Sequence, residues 1–162
     1  MAEHDASASI FEGTMIELTW PQVRDASRRR AAVLLPAGMA EAHGPHMDLS
    51  ADAVLSVHGC RLLKEALASL GIEALIAPPM YWGIARDTAK YPGTFSVRPE
   101  TMRALLADIF ASFKSWGFRR VFIYNAHGDG DHVAALREAS AAACDAPDFL
   151  AYFLWDLDMD IE

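Results

Sequence analysis

Between Glu41 and Asp52 the chain places Glu41, His43, His46, Asp48 and Asp52, three carboxylates and two imidazoles within twelve residues. These are the donors that divalent cations take. A second cluster, Asn125-Ala126-His127-Gly128-Asp129-Gly130-Asp131, carries the same donor types. Glu41 and His43 are two apart, so in extended backbone their side chains point to opposite sides and serve different ions unless one turns. His127 and Asp129 repeat that spacing. Asp52 sits where a helix should begin, a place where an Asp is more often a cap than a ligand; as a ligand it can bridge two cations. Glu41, His43, Asp52, His127 and Asp129, split over two ions, leave room for a bridging water, whose pKa such ions lower until it is a nucleophile near neutral pH. The expectation is a centre of two divalent metal ions held between two loops. Mixed Asp, Glu and His ligation suits zinc and manganese alike.

Other groups carry less. His46 and Asp48 read as ligands or as groups that orient ligands. His58 falls on a helical stripe and reads as a packed core histidine, while His4 and His132 give little signal. No GxSxG, P-loop or GxGxxG pattern is present, and Ser50 and Ser56 lack the partners of a nucleophile. No organic cofactor is expected.

The elements that must position these loops follow from patterning. Ala31–Pro36 is a continuous apolar run, as in a parallel strand buried on both faces. Residues 52–70 have helical periodicity, with Val54, Leu55, His58, Leu62, Leu63, Ala66 and Leu70 near one stripe, and Gly71 as the stop. Residues 72–77 form a second strand, Pro99 opens a helix to about Trp116, residues 121–124 form a third strand, and a helix runs from about His132 to Cys144, capped by Asp129 or Asp131. Residues 149–155 form a fourth strand. Upstream, Thr19, Pro21 and Gln22 have the spacing of a capped helix start, and Arg28-Arg29-Arg30 suits its end, as a solvated basic turn. Residues 80–97 form a long connection whose aromatics either wall a pocket or cover the core. Strands alternating with helices predict an α/β fold of three layers, with a mostly parallel central sheet flanked by helices. Both polar clusters lie at carboxyl ends of strands, where such sheets bind ligands.

The 162 residues, 52% hydrophobic and 22% charged, suffice for one domain. Residues 1–15 are expected to be a flexible segment, 16–155 the domain and 156–162 an acidic tail. A net charge of −8 argues against a nucleic-acid partner. No run approaches membrane-spanning length and the first residues lack a secretory pattern, so a cytoplasmic protein is expected, with Cys60 and Cys144 as buried thiols.

At these same residues the sequence resembles the creatininase (creatinine amidohydrolase) family. Its first motif, P-x-G-S-x-E-Q-H-G-P-H-L-P-x-x-T-D, appears as Pro36-Ala37-Gly38-Met39-Ala40-Glu41-Ala42-His43-Gly44-Pro45-His46, closing at Asp52. Its aromatic-P-G-T motif is Tyr91-Pro92-Gly93-Thr94, its N-G-H-x-x-N motif is Asn125 to Gly130, and Glu17-Leu18-Thr19-Trp20-Pro21 looks like its entry segment. The resemblance implies hydrolysis of a non-peptide C–N bond, in a small linear or cyclic amide, by hydroxide held between two metal ions. It implies that Glu41, Asp52 and His127 hold one ion, that His43, the bridging Asp52 and Asp129 hold the other, and that the protein is a homo-oligomer, usually a hexamer. Met39 and Ala42 replace the motif's Ser and Gln, Asp48 and Ala51 its Pro and Thr. Residues 83–88 depart from the family's G-x-S-x-E-H loop. Nothing after Trp155 resembles the H-A-G-E-like segment that supplies an acid–base pair in relatives, so no catalytic side chain is assigned. The alternative expectation is a metal-binding, catalytically impaired relative that serves as an oligomer subunit, docking through the strand 149–155.

Overall fold

In the computed structural model residues 9–145 and 147–154 are described. A 3-10 turn, Met15–Glu17, precedes α1 (Trp20–Arg28), β1 (Ala32–Ala37), α2 (Ala51–Ser69), β2 (Ala74–Ile76), α3 (Pro99–Ser115), β3 (Arg120–Asn125), α4 (Gly130–Ala143) and β4 (Leu150–Phe153). The four strands form one sheet in the order β2-β1-β3-β4, and every pairing is parallel. The expected last strand residue, Trp155, and the acidic tail lie outside the described residues.

Local chemistry sets the element ends. The Thr19 N–H donates to Gln22 Oε1 at 2.7 Å, and Pro21 sits in the first turn of α1. Arg29, just past that helix, makes a two-pronged pair with Glu73. Pro99 and Glu100 open α3, and Gly117, at φ +94°, turns the chain out of it. Thr14 and Met15 are buried, and Thr14 bridges Ile76.

Strand alternation divides the core in two. Val33, Leu35, Val121, Ile123, Ala151 and Phe153 face α3 and α4 on one side. Ala32, Leu34, Ala74 and Ile76 face Cys60, Leu63 and Leu67 of α2 on the other. The result is the expected three layers, with β1 buried on both faces. Each fully buried Leu, Ile or Phe contributes about 1.5–3 kcal/mol by leaving water.

Two expectations about burial fail. Most of the α2 stripe points outward: Val54, Leu55, Leu62 and Leu70 are exposed and so is His58, which is no core histidine. The inward face is built instead from Ala53, Ser56, Val57, Gly59 and Cys60. The helix lies so close to the sheet that a Cβ at Gly59 would come within 2.3 Å of the Tyr124 ring. Small residues fill the closest approach, and Leu63 and Leu67 pack against the sheet further along the helix. Cys144 is the second failure. It is exposed at the C-terminal end of α4, where its sulfur accepts the Ala151 N–H.

Candidate metal centre

β1 and β3 are neighbours, with Ala37 beside Asn125 at their carboxyl ends. From β1 the chain crosses to α2 on one face, and from β3 to α4 on the other. This divergence opens a crevice at the strand ends. The Ala126 N–H still donates to the Ala37 carbonyl, so the two ligand loops start side by side.

Each loop is shaped by its own residues. A Cβ on Gly38 would sit 2.5 Å from the Asp52 carbonyl oxygen, so only glycine lets the end of β1 meet the first turn of α2. Ser50, not Asp52, is the N-terminal cap residue of α2. The Asp52 side chain is therefore free to point into the crevice. Across it, Asn125 grips the His127 backbone from both ends: its amide donates to the His127 carbonyl at 2.6 Å and accepts the His127 N–H at 3.2 Å. Thr94 of the aromatic-Pro-Gly-Thr stretch accepts the Ala42 N–H at 3.0 Å and steadies the first loop.

The loops bring Glu41, Asp52 and His127 together, with one donor atom from each within 4.8 Å of the others. All three are at least nine-tenths buried. His127 Nδ1 lies 2.9 Å from Asp52 Oδ2 and 3.2 Å from Glu41 Oε1. His43 Nε2 lies 3.1 Å from the other oxygen, Asp52 Oδ1, and 3.6 Å from Glu41 Oε1. One carboxylate thus faces two imidazoles, one on each oxygen.

The outer nitrogens of both rings meet backbone carbonyls. His127 Nε2 is 2.8 Å from the Ile84 oxygen, and His43 Nδ1 is 3.2 Å from the Glu41 oxygen. A carbonyl can only accept, so each outer nitrogen carries a proton, and each inner one either donates to the carboxylates from a protonated ring or, in the neutral ring, offers its lone pair to a cation held among them. Imidazoles that ligate metals are held this way. Two buried carboxylates and two lone pairs converging on one space need a positive charge among them, and the donor set fits a divalent cation.

Without a cation, the carboxylates favour the protonated form of His127. Burial opposes a charged His127, but the hydrogen bond to Asp52, the Ile84 carbonyl and the charges of Glu41 and Asp52 outweigh it and raise its pKa. His132 goes the other way. Burial chiefly, and then the neighbouring His127, push it down to about 4.

Of the five expected ligands, Glu41, Asp52 and His127 form the cluster and His43 adjoins it. Asp129 stands apart as the N-terminal cap of α4, with Oδ1 accepting from Asp131 and His132 N–H and Oδ2 from the Arg86 N–H. Burial alone would raise its pKa, but these three donors and the charge of His127 lower it. His46 and Asp48 are exposed. The long connection proves to serve the site: besides the Ile84 carbonyl it supplies Thr88, whose hydroxyl donates to Glu41 Oε2 at 2.8 Å. Arg86 pairs with Asp131 beside it. Thr88 and His132 were missed in the sequence. The placement of His132 on the first turn of the helix that follows a ligand loop was the available signal.

Fold and site together define a three-layer α/β domain with a carboxylate–imidazole centre between two parallel strands. The profile of the creatininase (creatinine amidohydrolase) family matches residues 16–159, and the chain belongs to that family. It is 30% identical over 128 residues to a mycofactocin precursor peptide peptidase of Mycolicibacterium smegmatis, covering 72% of this chain and 51% of that protein. It is 28% identical over 166 residues to the creatinine amidohydrolase of Pseudomonas putida, covering 95% and 61%. Among solved structures, a creatininase named as its Mn form superimposes with a TM-score of 0.72 at 27% identity, over 92% of this chain and 61% of that one. A mutant creatininase named as Zn-Zn type gives 0.72 at 27%, over 96% and 62%. The chain spans about half the length of the peptidases it matches.

Proposed function

We propose that the chain is a metal-dependent hydrolase of non-peptide C–N bonds, acting on a small linear or cyclic amide with two divalent ions, zinc or manganese. The observation that carries this reading is Asp52, with His127 on one oxygen and His43 on the other. Glu41, Asp52 and His127 would hold one ion, and His43 with the bridging Asp52 the other. Asp129 would complete the second set through a lone pair on Oδ2 that its capping role leaves free. The names of the solved relatives, one Mn and one Zn-Zn, support either metal.

Divalent ions in this position supply Lewis acidity, bringing water's pKa towards neutrality and polarising an amide carbonyl. The protein's own groups do the rest. Asn125 and the Ile84 carbonyl fix the His127 ring, and Thr88 fixes Glu41, leaving Oε1 as its inward donor. Burial of Asp52 and His127 keeps the centre in a low-dielectric setting where charge acts strongly.

Peptide hydrolysis is the competing reading, favoured by the likeness to peptide peptidases. Homo-oligomeric assembly, up to a hexamer, and a cytoplasmic location belong to the same proposal. Exposed Leu150 and Tyr152 on the edge strand β4, and the outward leucines of α2, support assembly. No described helix is long and apolar enough to cross a membrane.

Metal content per chain, by plasma mass spectrometry, should come to about two. Reloaded protein is then offered creatinine, other cyclic and linear amides, and short peptides. Turnover of an amide that disappears with chelation supports the proposal. Turnover of peptides alone favours the competing reading, and metal without turnover of any substrate leaves the impaired oligomer subunit.

A further inference from the structure

His132 lies behind the centre and is fully buried. Its Nδ1 accepts the Ile84 N–H at 3.2 Å, and the Ile84 carbonyl in turn receives His127 Nε2 at 2.8 Å. The two rings also meet edge to face, 4.8 Å between centroids and 78° between planes. One residue's backbone therefore links them, with its N–H held by His132 and its carbonyl orienting His127. We propose that His132 is a positioning residue, setting the orientation of the metal ligand His127 through the backbone of Ile84. This inference rests on the metal reading of the site.

Three observations favour it over a packing role. Accepting at Nδ1 leaves the neutral ring's proton on Nε2, and that atom is buried without a hydrogen-bond partner among the described residues. An aliphatic side chain of similar size would fill the space without the orphan donor, so packing does not explain an imidazole here. Second, the ring is held closely. A Cβ on Gly83 would lie 3.1 Å from His132 Cε1 and 2.7 Å from Met39 Cβ, so glycine is what lets the 83–88 loop press against it. Third, the same loop is tied again two residues on, where the Arg86 N–H meets Asp129, and two further on, where Thr88 meets Glu41. His132 anchors the end of the loop that touches His127.

The test compares three variants with cobalt(II) as the probe. His132→Asn keeps an acceptor near the place of Nδ1. His132→Gln moves the amide out towards Nε2, and His132→Leu keeps only volume. Affinity is measured by competition with a chelator, geometry by the visible absorption of the bound cobalt, and folding by melting of the metal-free protein. His132→Leu and His132→Gln should bind cobalt about tenfold more weakly, with altered absorption bands, and His132→Asn should recover most of the loss. Affinity and spectrum unchanged in the Leu and Gln variants would overturn the inference alone. So would an equal loss in all three that merely tracks melting temperature. Should His132→Leu not fold, the Asn and Gln pair decides. A wild-type protein that takes up no cobalt overturns the metal reading and this inference with it.

Discussion

His127 and His132 are five residues apart, both buried, with their rings 4.8 Å apart. Their surroundings drive them in opposite directions. His127 faces two carboxylates and a carbonyl, and its pKa is raised. His132 accepts one backbone N–H, has no partner at its other nitrogen among the described residues, and falls to about 4. The difference lies in what each ring is offered. Burial disfavours the imidazolium at both positions, and only at His127 do oxygens supply enough compensation. A ring that attracts a proton when empty is one that attracts a cation, and its neighbour is held neutral so that it can serve as an acceptor.

The largest break in this contrast comes from Asp52. Asp52→Ala removes the oxygens facing both His127 and His43. We expect metal content to fall from about two per chain to near zero, measured by plasma mass spectrometry after reloading. The same variant should lower the His127 pKa in the metal-free protein, which NMR titration of the ring can follow. Retention of both ions would remove Asp52 as the bridge. Gly38→Ala attacks the same contact from the backbone. The new Cβ meets the Asp52 carbonyl at 2.5 Å and must push α2 away from β1. A loss of about 1–3 kcal/mol in unfolding free energy is expected by denaturant titration, with weaker metal binding alongside.

How much of this was legible in the sequence differs between the two loops. The sheet, the α2 and α4 helices and both ligand clusters could be read because strand runs and loop breaks are local signals. So could Glu41, His43, Asp52 and His127 as a group, from donor types at strand ends. The groups that hold them were not. Thr88 reaches Glu41 from 47 residues away, and the Ile84 carbonyl reaches His127 from 43. No periodicity reports a contact made by an irregular loop. The α2 face was misread for a related reason. Helical spacing shows that a stripe exists, but how closely the helix approaches depended on Gly59 against Tyr124. His132 fell between these cases, a polar residue on a helix whose partner is a backbone N–H.

Acidity sharpens the contrast in the metal-free protein. For His132 the folded-state pKa, about 4, lies below the ordinary 6.5. Between those values the unfolded chain takes up a proton that the folded one refuses. The His132 contribution to stability is thus full above pH 6.5 and falls as pH drops towards 4, by about 3 kcal/mol. His132→Asn should flatten that acid limb. His127 has the opposite sign. Its raised pKa gives a contribution that is complete below 6.5 and lost as pH rises through the folded-state value. His127→Leu should flatten the alkaline limb instead. Denaturant melts across pH 4 to 9 separate the two, and identical profiles for both variants would erase the distinction.

Thr88→Val makes the smallest change, at Glu41. The valine keeps the shape but loses the hydroxyl that donates to Glu41 Oε2 at 2.8 Å. Glu41 keeps its contact with His127 through Oε1 and gains freedom to rotate. Metal affinity should drop by about tenfold, with little change in the fold, and Thr88→Ser should restore it. The His132 titration should not move, because its shift comes from burial and from His127, Asp129 and Asp52. A Thr88→Val protein that binds metal as tightly as wild type would mean that the burial of Glu41 alone fixes its carboxylate. Orientation by a second residue would then be needed only on the histidine side.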